Sequence, residues 1–186
     1  RGIPAGMHPT QGIPTPEVVY TILHAGGKFG GEGYKIAGGL HGVGASVVNA
    51  LSEWLELEDI VDGVRYTERF EHGAVGRPFK CEGPVGEGEK QHGVTVTFKP
   101  DHEIFETTVF EYEIMLTRMR EQAFLNAGVH IILRDIRGAE PIENEYHYAG
   151  GIREFVQWYN RTLRELGWRG LITQFNYSKR LIESKV

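Results

Sequence analysis

The most chemically distinctive stretch of the sequence is a glycine-rich run, Gly38-Gly39-Leu40-His41-Gly42-Val43-Gly44, followed directly by helix-forming residues. Glycine adopts positive φ without steric cost and has no side chain, so successive backbone N–H groups can turn toward one anion. A helix that follows adds the unpaired N–H groups of its first turn. The run therefore suits a phosphate. A tight start of a helix would use the same residue types, and the spacing matches neither the dinucleotide fingerprint nor the P-loop.

Composition places this run in an ordinary globular protein. The 186 residues are 40% hydrophobic and 24% charged, which fits one domain with a core. The net charge of −5 argues against a surface that wraps nucleic acid by itself, so any DNA would be held by another domain or subunit. The single cysteine, Cys81, excludes an internal disulfide and fits a reducing cytoplasm. No apolar run reaches the length of a membrane span. Because the first residue is Arg1, we expect either a processed chain or a fragment of a longer protein.

Helix signals flank the glycine-rich run on both sides. Thr15 as N-cap and Pro16 at the first helical position predict a helix that ends at Gly26-Gly27. Residues 28–35 combine three glycines with two lysines and two aromatic residues, a composition typical of a lid. We expect the first helix to face the core with its regularly spaced apolar residues, Val18, Val19, Ile22 and Leu23.

The rest of the chain alternates between strand and helix patterns. Asp62-Gly63 predicts a tight hairpin between two alternating strands, and residues 73–93 are expected to form a surface loop. Thr108 with Glu111 has the spacing of a capping box at the start of a helix. Together these elements predict an α+β fold with one mixed or antiparallel sheet and helices on one face. The other expected elements are strands at 94–98, 129–133 and 142–148 and a helix at about 151–166.

Three strings, in this order and spacing, carry a family resemblance: residues 1–4, residues 23–29 and residues 38–51. They resemble the ATPase domain of bacterial type II topoisomerases, in the GHKL superfamily. The gyrase-type B subunit is the most similar, and the topoisomerase IV B-type subunit or another GHKL nucleotide-binding module are the alternatives. The resemblance covers residues 1–160, whereas residues 161–186 do not follow the family and form a tail of uncertain origin.

The resemblance implies a two-layer sandwich of a mixed, mostly antiparallel sheet and helices, incomplete at the N-terminus, that binds ATP under a mobile lid. The resemblance further implies that Ile3 and Pro4 form an apolar wall of the base pocket, that Lys28 reaches a phosphate and that Tyr34 contacts the adenine. Two of these roles have simpler alternatives, since Lys28 could be a solvated charge and Tyr34 could pack under the lid. The loop that would wrap the phosphates through its backbone consists of Gly39, Leu40, His41, Gly42, Val43 and Gly44.

The resemblance also implies what the chain lacks. In the family the base that activates water and the protein ligand of Mg²⁺ lie before the position of Arg1, and a lysine of the following domain contacts the γ-phosphate. We therefore predict no catalytic residue in the chain, weak nucleotide binding and no hydrolysis. A fragment that folds poorly is a further alternative. In the parent protein, the resemblance implies ATP-driven dimerisation of two such domains, a gyrase A-type partner subunit, DNA passage and supercoiling.

Two positions depart from the family pattern, and the histidines follow no pattern. Val94 replaces a threonine hydroxyl near the adenine, so either Thr95 compensates or that contact is missing. Val61 stands where many relatives have an arginine at the mouth of the pocket.

The histidines show no spacing typical of metal ligands, so we predict no metal site built from them. This prediction concerns six of the eight histidines, namely His24, His72, His92, His102, His130 and His147.

Overall fold

The structure, a computed structural model, describes residues 2–25 and 42–165. The chain divides into two compact units, Arg1–Thr108 and Val109–Val186. The described elements of the first unit are α1 (Thr15–Thr21), α2 (Gly44–Ala50), β1 (Ser52–Val61), β2 (Val64–Glu71), β3 (Ala74–Pro84) and β4 (Gly93–Pro100). Those of the second unit are α3 (Tyr112–Leu125), β5 (His130–Asp135), β6 (Ile142–His147) and α4 (Ile152–Glu165).

The first unit is built on a four-stranded antiparallel sheet in the order β3-β2-β1-β4. Asp62 and Gly63 join β1 to β2 with φ values of 50° and 75°, the signs that a type I′ turn requires at both central positions. The predicted hairpin is confirmed. It fixes the register in which Leu55 pairs with Phe70 and Leu57 with Glu68.

The two faces of this sheet have opposite chemistry. Leu55, Leu57 and Phe70 are almost fully buried and form a core cluster with Tyr20 of α1, whose ring stacks on Phe70 at 5.7 Å. Residues between them point the other way, and there Arg69 donates to Glu56 at 2.8 Å. Alternation along β1 and β2 thus separates a buried core face, against which α1 and α2 pack, from a more exposed, charged face.

Asn49 of α2 connects the helices to the sheet. Its side-chain amide is 1% exposed and donates to the Tyr20 carbonyl at 3.0 Å and to the Gly73 carbonyl at 3.1 Å. Because both acceptors lie far from it in sequence, this side chain fixes α2 against α1 and against the β2–β3 turn. The C-terminal end of α2 is thereby fixed, and Ala45 near its start packs against the core cluster.

The second unit consists of the β5–β6 antiparallel pair and two helices. Phe124 of α3 is buried and stacks on Tyr148 with ring centroids 3.7 Å apart. Phe155 and Trp158 of α4 pack against the same Phe124 ring. An aromatic cluster is therefore the core of this unit. None of the described helices has both the length and the apolar character needed to cross a membrane.

The predicted α+β class with an antiparallel sheet is confirmed, but several local predictions were wrong. The described residues form two sheets where one was expected. Residues 74–84 of the expected surface loop are strand β3, since an edge strand with register shifts tolerates the glycines and prolines that suggested a loop. Leu23 was expected in the core and is 59% exposed, because α1 ends at Thr21.

The predicted helix starts also shifted. Pro14, rather than Thr15, is the N-cap of α1, and the Thr15 hydroxyl donates to the Gly6 carbonyl at 2.8 Å. The capping box at Thr108 is absent, because α3 begins at Tyr112 with Glu111 as an N-cap that makes no side-chain cap bond. The predicted boundary at residue 160 stays a prediction, because α4 ends at Glu165 and the residues after it lie outside the described part.

Candidate nucleotide site

The described end of the glycine-rich run turns directly into α2. Gly42 has a φ of 62°, a left-handed conformation that glycine adopts without strain, and Val43 is the N-cap. Among the described residues no side chain caps the first turn, and the Ser46 hydroxyl donates back to the Val43 carbonyl at 3.1 Å. A Cβ added to Gly44 would meet no described atom within 4 Å, so open space adjoins the backbone here. These features fit an approaching phosphate.

Ile3 borders the same part of the unit. Ile3 and Ala45, the second residue of α2, both pack against the core cluster of Tyr20, Leu55, Leu57 and Phe70. The structure therefore places the residue expected in the base-pocket wall and the second residue of α2 against the same core cluster. Pro4 is exposed.

Asp59 on β1 is a buried acid that sequence reasoning missed. It is 0% exposed, and its Oδ1 accepts a hydrogen bond from the Ile3 backbone N–H at 3.0 Å. Its Oδ2 has no hydrogen-bond partner among the described residues. Burial raises the pKa of Asp59, and the Ile3 N–H partly opposes that rise. Burial, helped by the charge of Asp59, raises the pKa of Tyr20 to about 12.

The strand register resolves one alternative left by the sequence. Val94 pairs with Asp59, whereas Thr95 pairs with Glu58. Because directly paired residues share a face and neighbours alternate, Thr95 lies on the charged face, away from Val94 and Ile3. Thr95 therefore does not replace a hydroxyl at Val94, and the polar group beside Val94 is the Asp59 carboxyl.

Half of the predicted site residues can be located. Ile3, Pro4, Gly42, Val43 and Gly44 lie in the described part of the first unit. The other five fall outside the described residues, so their predicted roles remain predictions. They are Lys28, Tyr34, Gly39, Leu40 and His41.

The described residues near Gly42–Gly44 do not fit a protein-held Mg²⁺. Within residues 2–25 and 42–165, one group of side chains has metal-ligand atoms close together, namely Glu53, Asp101 and His102. Glu53 and Asp101 lie beyond the C-terminal end of α2, where the Asp101 N–H donates to the Leu51 carbonyl at 3.0 Å. No step involving Mg²⁺ can be assigned to this group, because the glycine-rich run lies at the opposite end of α2.

Comparison with known proteins identifies relatives in one group of enzymes. The chain is 58% identical over 160 residues to the B subunit of DNA topoisomerase 4 from Enterococcus faecalis, covering 86% of this chain and 23% of that protein. It is 51% identical over 161 residues to the B subunit of DNA gyrase from the same organism, covering 86% of this chain and 24% of the relative. The chain thus spans about a quarter of the length of these relatives. No protein-family model matches the chain.

A solved structure supports the same assignment. The 43K ATPase domain of Thermus thermophilus gyrase B, in complex with an aminocoumarin, aligns with a TM-score of 0.68 and 36% identity. The alignment covers 86% of this chain and 38% of the gyrase chain. The resemblance is therefore confirmed in sequence to the B subunits of topoisomerase 4 and gyrase, and in fold to the ATPase domain of gyrase B.

Proposed function

Because the chain matches the ATPase region of bacterial type II topoisomerase B subunits, we propose that it is a nucleotide-binding segment of such a protein and binds ATP. The observation that carries this proposal is the 58% identity over 160 residues of a sequence containing the glycine-rich run. The start of α2, which no described side chain caps, and the left-handed Gly42 support it, because both are suited to presenting backbone N–H groups to an anion.

In this proposal the phosphates lie on the backbone of residues 39–44, with Lys28 as a cationic partner, and Tyr34 contacts the adenine beside Ile3 and Pro4. Bound ATP would carry Mg²⁺. We expect the protein ligand of that ion, and the base that activates water, to lie outside this sequence. The chain would therefore bind ATP weakly and not hydrolyse it. Residues 161–186 would form a tail outside the ATPase segment at 1–160.

The activity of the whole protein is a further part of the proposal. Binding of ATP would dimerise two ATPase domains and couple nucleotide turnover to the passage of one DNA duplex through another. The parent protein would act in the cytoplasm with an A-type subunit, which together with other domains would hold the DNA. The net charge of −5 supports that division of labour, because this segment is not itself a DNA-binding surface.

Two B-type subunits are candidates for the parent. The gyrase type implies supercoiling, and the topoisomerase IV type implies decatenation. The higher identity to the Enterococcus faecalis topoisomerase IV protein, 58% against 51% for gyrase of that organism, favours the second candidate. Supercoiling and decatenation assays of the full-length protein with its A-type partner distinguish them.

A displacement assay with a fluorescent ATP analogue tests the proposed binding. We expect the full 186-residue chain to bind the analogue, and ATP to displace it. The variant Gly42→Ala should bind at least about tenfold more weakly, because alanine at a φ of 62° strains the loop and shifts its N–H groups. An aminocoumarin, the class of ligand bound to the gyrase structure, should compete with the analogue.

A matched glycine provides the control for that assay. Gly12 has a φ of 68°, close to that of Gly42, but lies in the loop before α1. Gly12→Ala should leave binding unchanged. Equal binding by wild type and Gly42→Ala, or no binding at about 1 mM analogue, would contradict the proposal. ATP turnover by the chain alone that Lys28→Ala abolishes would show that the catalytic groups are not outside it.

A further inference from the structure

Three segments of the first unit meet at one end of its sheet: the start of β1, the β2–β3 turn and the residues after β4. The His72 backbone N–H donates to the Glu53 carbonyl at 3.2 Å, and the Asp101 N–H donates to the Leu51 carbonyl at 3.0 Å. The β1–β4 register shifts between Ser52 and Trp54, so Glu53 is the additional residue of a β-bulge. Backbone bonds thus fix the positions from which Glu53, His72 and Asp101 extend.

The side chains of these segments converge. His102 Nδ1 lies 2.6 Å from Glu53 Oε1, and His72 Nδ1 lies 2.9 Å from Asp101 Oδ2. One ligand atom from each of Glu53, Asp101 and His102 falls within 4.8 Å of the others. The two acids are largely buried, with side chains 17% and 5% exposed, whereas the His102 side chain is 71% exposed. The acids are therefore held in place, and the imidazole has room to adjust.

We propose that Glu53, Asp101 and His102 form a binding site for a divalent transition-metal ion, with Zn²⁺ as the best fit, and that His72 positions Asp101. One imidazole nitrogen with two carboxylate oxygens is a ligand set suited to Zn²⁺. Ligand atoms about 2.0–2.2 Å from a tetrahedral ion lie roughly 3.3–3.6 Å apart. His102, whose side chain is 71% exposed, is the ligand with the most room to adjust toward that geometry. The hydrogen bond from His72 orients Asp101 in the way that outer partners orient metal ligands.

The positive charge of Lys99 disfavours metal binding at this site. Lys99 contacts a different oxygen of Glu53 from the one that faces His102. Its Nζ lies 2.5 Å from Glu53 Oε2, while Oε1 faces His102. With neutral imidazoles, the form in which His102 can bind a metal, the two carboxylates exceed Lys99 by one negative charge. Lys99 lowers the affinity for a metal without occupying the ligand atom.

This site is separate from the proposed nucleotide loop. The loop ends at the first residue of α2, Gly44, whereas Glu53 follows the last residue, Ala50, by three positions. Failure of one site therefore does not imply failure of the other. Gly42→Ala, which is expected to impair ATP binding, should leave metal binding unchanged.

Calorimetric titration of ZnCl₂ into the full chain, carrying Cys81→Ser to remove the exposed thiol, tests this inference. We expect one ion per chain, and a visible absorption spectrum of tetrahedral type when Co²⁺ replaces Zn²⁺. His102→Ala should weaken Zn²⁺ binding at least tenfold. Lys99→Gln should strengthen it, because the competing charge is removed. Thermal melts of each variant verify that the first unit stays folded.

His130→Ala is the matched control. The His130 Nε2 lies 2.7 Å from Glu145 Oε1, so this pair resembles His102 and Glu53 but belongs to the second unit and is not part of the three-residue cluster. His130→Ala should bind Zn²⁺ as the parent chain does. Absence of Zn²⁺ binding, equal binding by the folded His102→Ala chain, or an equal loss in His130→Ala would overturn the proposal.

Discussion

At the scale of single residues, two acidic side chains lie on the core face of the first sheet, at positions where the alternation of a half-buried strand normally places apolar residues. Asp59 and Glu68 are both 0% exposed. Asp59 keeps one hydrogen bond, from Ile3, whereas neither carboxyl oxygen of Glu68 has a partner among the described residues. Burial, followed by the charge of Glu17, raises the pKa of Glu68 to about 8. Glu68 is therefore protonated in the folded protein at neutral pH.

The stability of the first unit should consequently fall as the pH rises. In the unfolded chain Glu68 loses its proton near its ordinary pKa of 4.5, and in the folded chain near 8. The stabilisation of the protonated form is complete below about pH 4.5 and is lost as the pH rises toward 8. Glu68→Gln, which has no charge to bury, should be more stable than wild type by at least about 2 kcal/mol at pH 8. Urea unfolding at several pH values measures this difference.

The control for that measurement is Glu87→Gln, which changes an exposed glutamate in the β3–β4 connection of the same unit. Its stability should follow that of wild type at every pH. If the difference between Glu68→Gln and wild type stayed constant from about pH 5 to pH 8, the carboxyl of Glu68 would not carry the buried proton.

At the scale of elements, local turn chemistry identified the β1–β2 hairpin but not strand β3. Asp62-Gly63 specifies its turn through backbone conformation alone, so two residues sufficed to predict it. Strand β3 contains Gly76, Pro78 and Gly83, which normally signal a loop. The strand forms because β2 provides a pairing partner and because β3 lies at the edge of the sheet. That partner is a tertiary feature and is not visible in the local sequence.

The hairpin makes a direct prediction at Gly63. A Cβ at this position would lie 2.4 Å from Gln91 Oε1, and its φ of 75° is unfavourable for any residue with a side chain. Gly63→Ala should lower the free energy of unfolding by about 1–2 kcal/mol. Gly93→Ala, at the start of β4, is the control, because an added Cβ there meets nothing within 4 Å and its φ is not positive. Equal melting temperatures of the two variants would contradict the assigned turn.

At the scale of the whole molecule, the features that the sequence predicted are those that depend on neighbouring residues or on the sequence motifs of the family. The α+β class, the hairpin and the glycine-rich run before α2 follow from such local patterns. The Ile3–Asp59 bond joins residues 56 apart, and the His102–Glu53 contact joins residues 49 apart. Neither spacing carries a signal in the sequence, because both contacts depend on how the sheet brings distant segments together. The buried acid and the proposed metal site were invisible for this reason.

The central claim, that ATP binds at the loop before α2 beside Ile3, can be tested at residue resolution. In a titration of the ¹⁵N-labelled full chain with ATP, we predict the largest amide shifts at Ile3, Gly42 and Gly44. Gly128 and Gly138, which lie in the second unit, serve as internal controls and should not shift. Amide shifts confined to the second unit, or none at saturating ATP, would contradict the account.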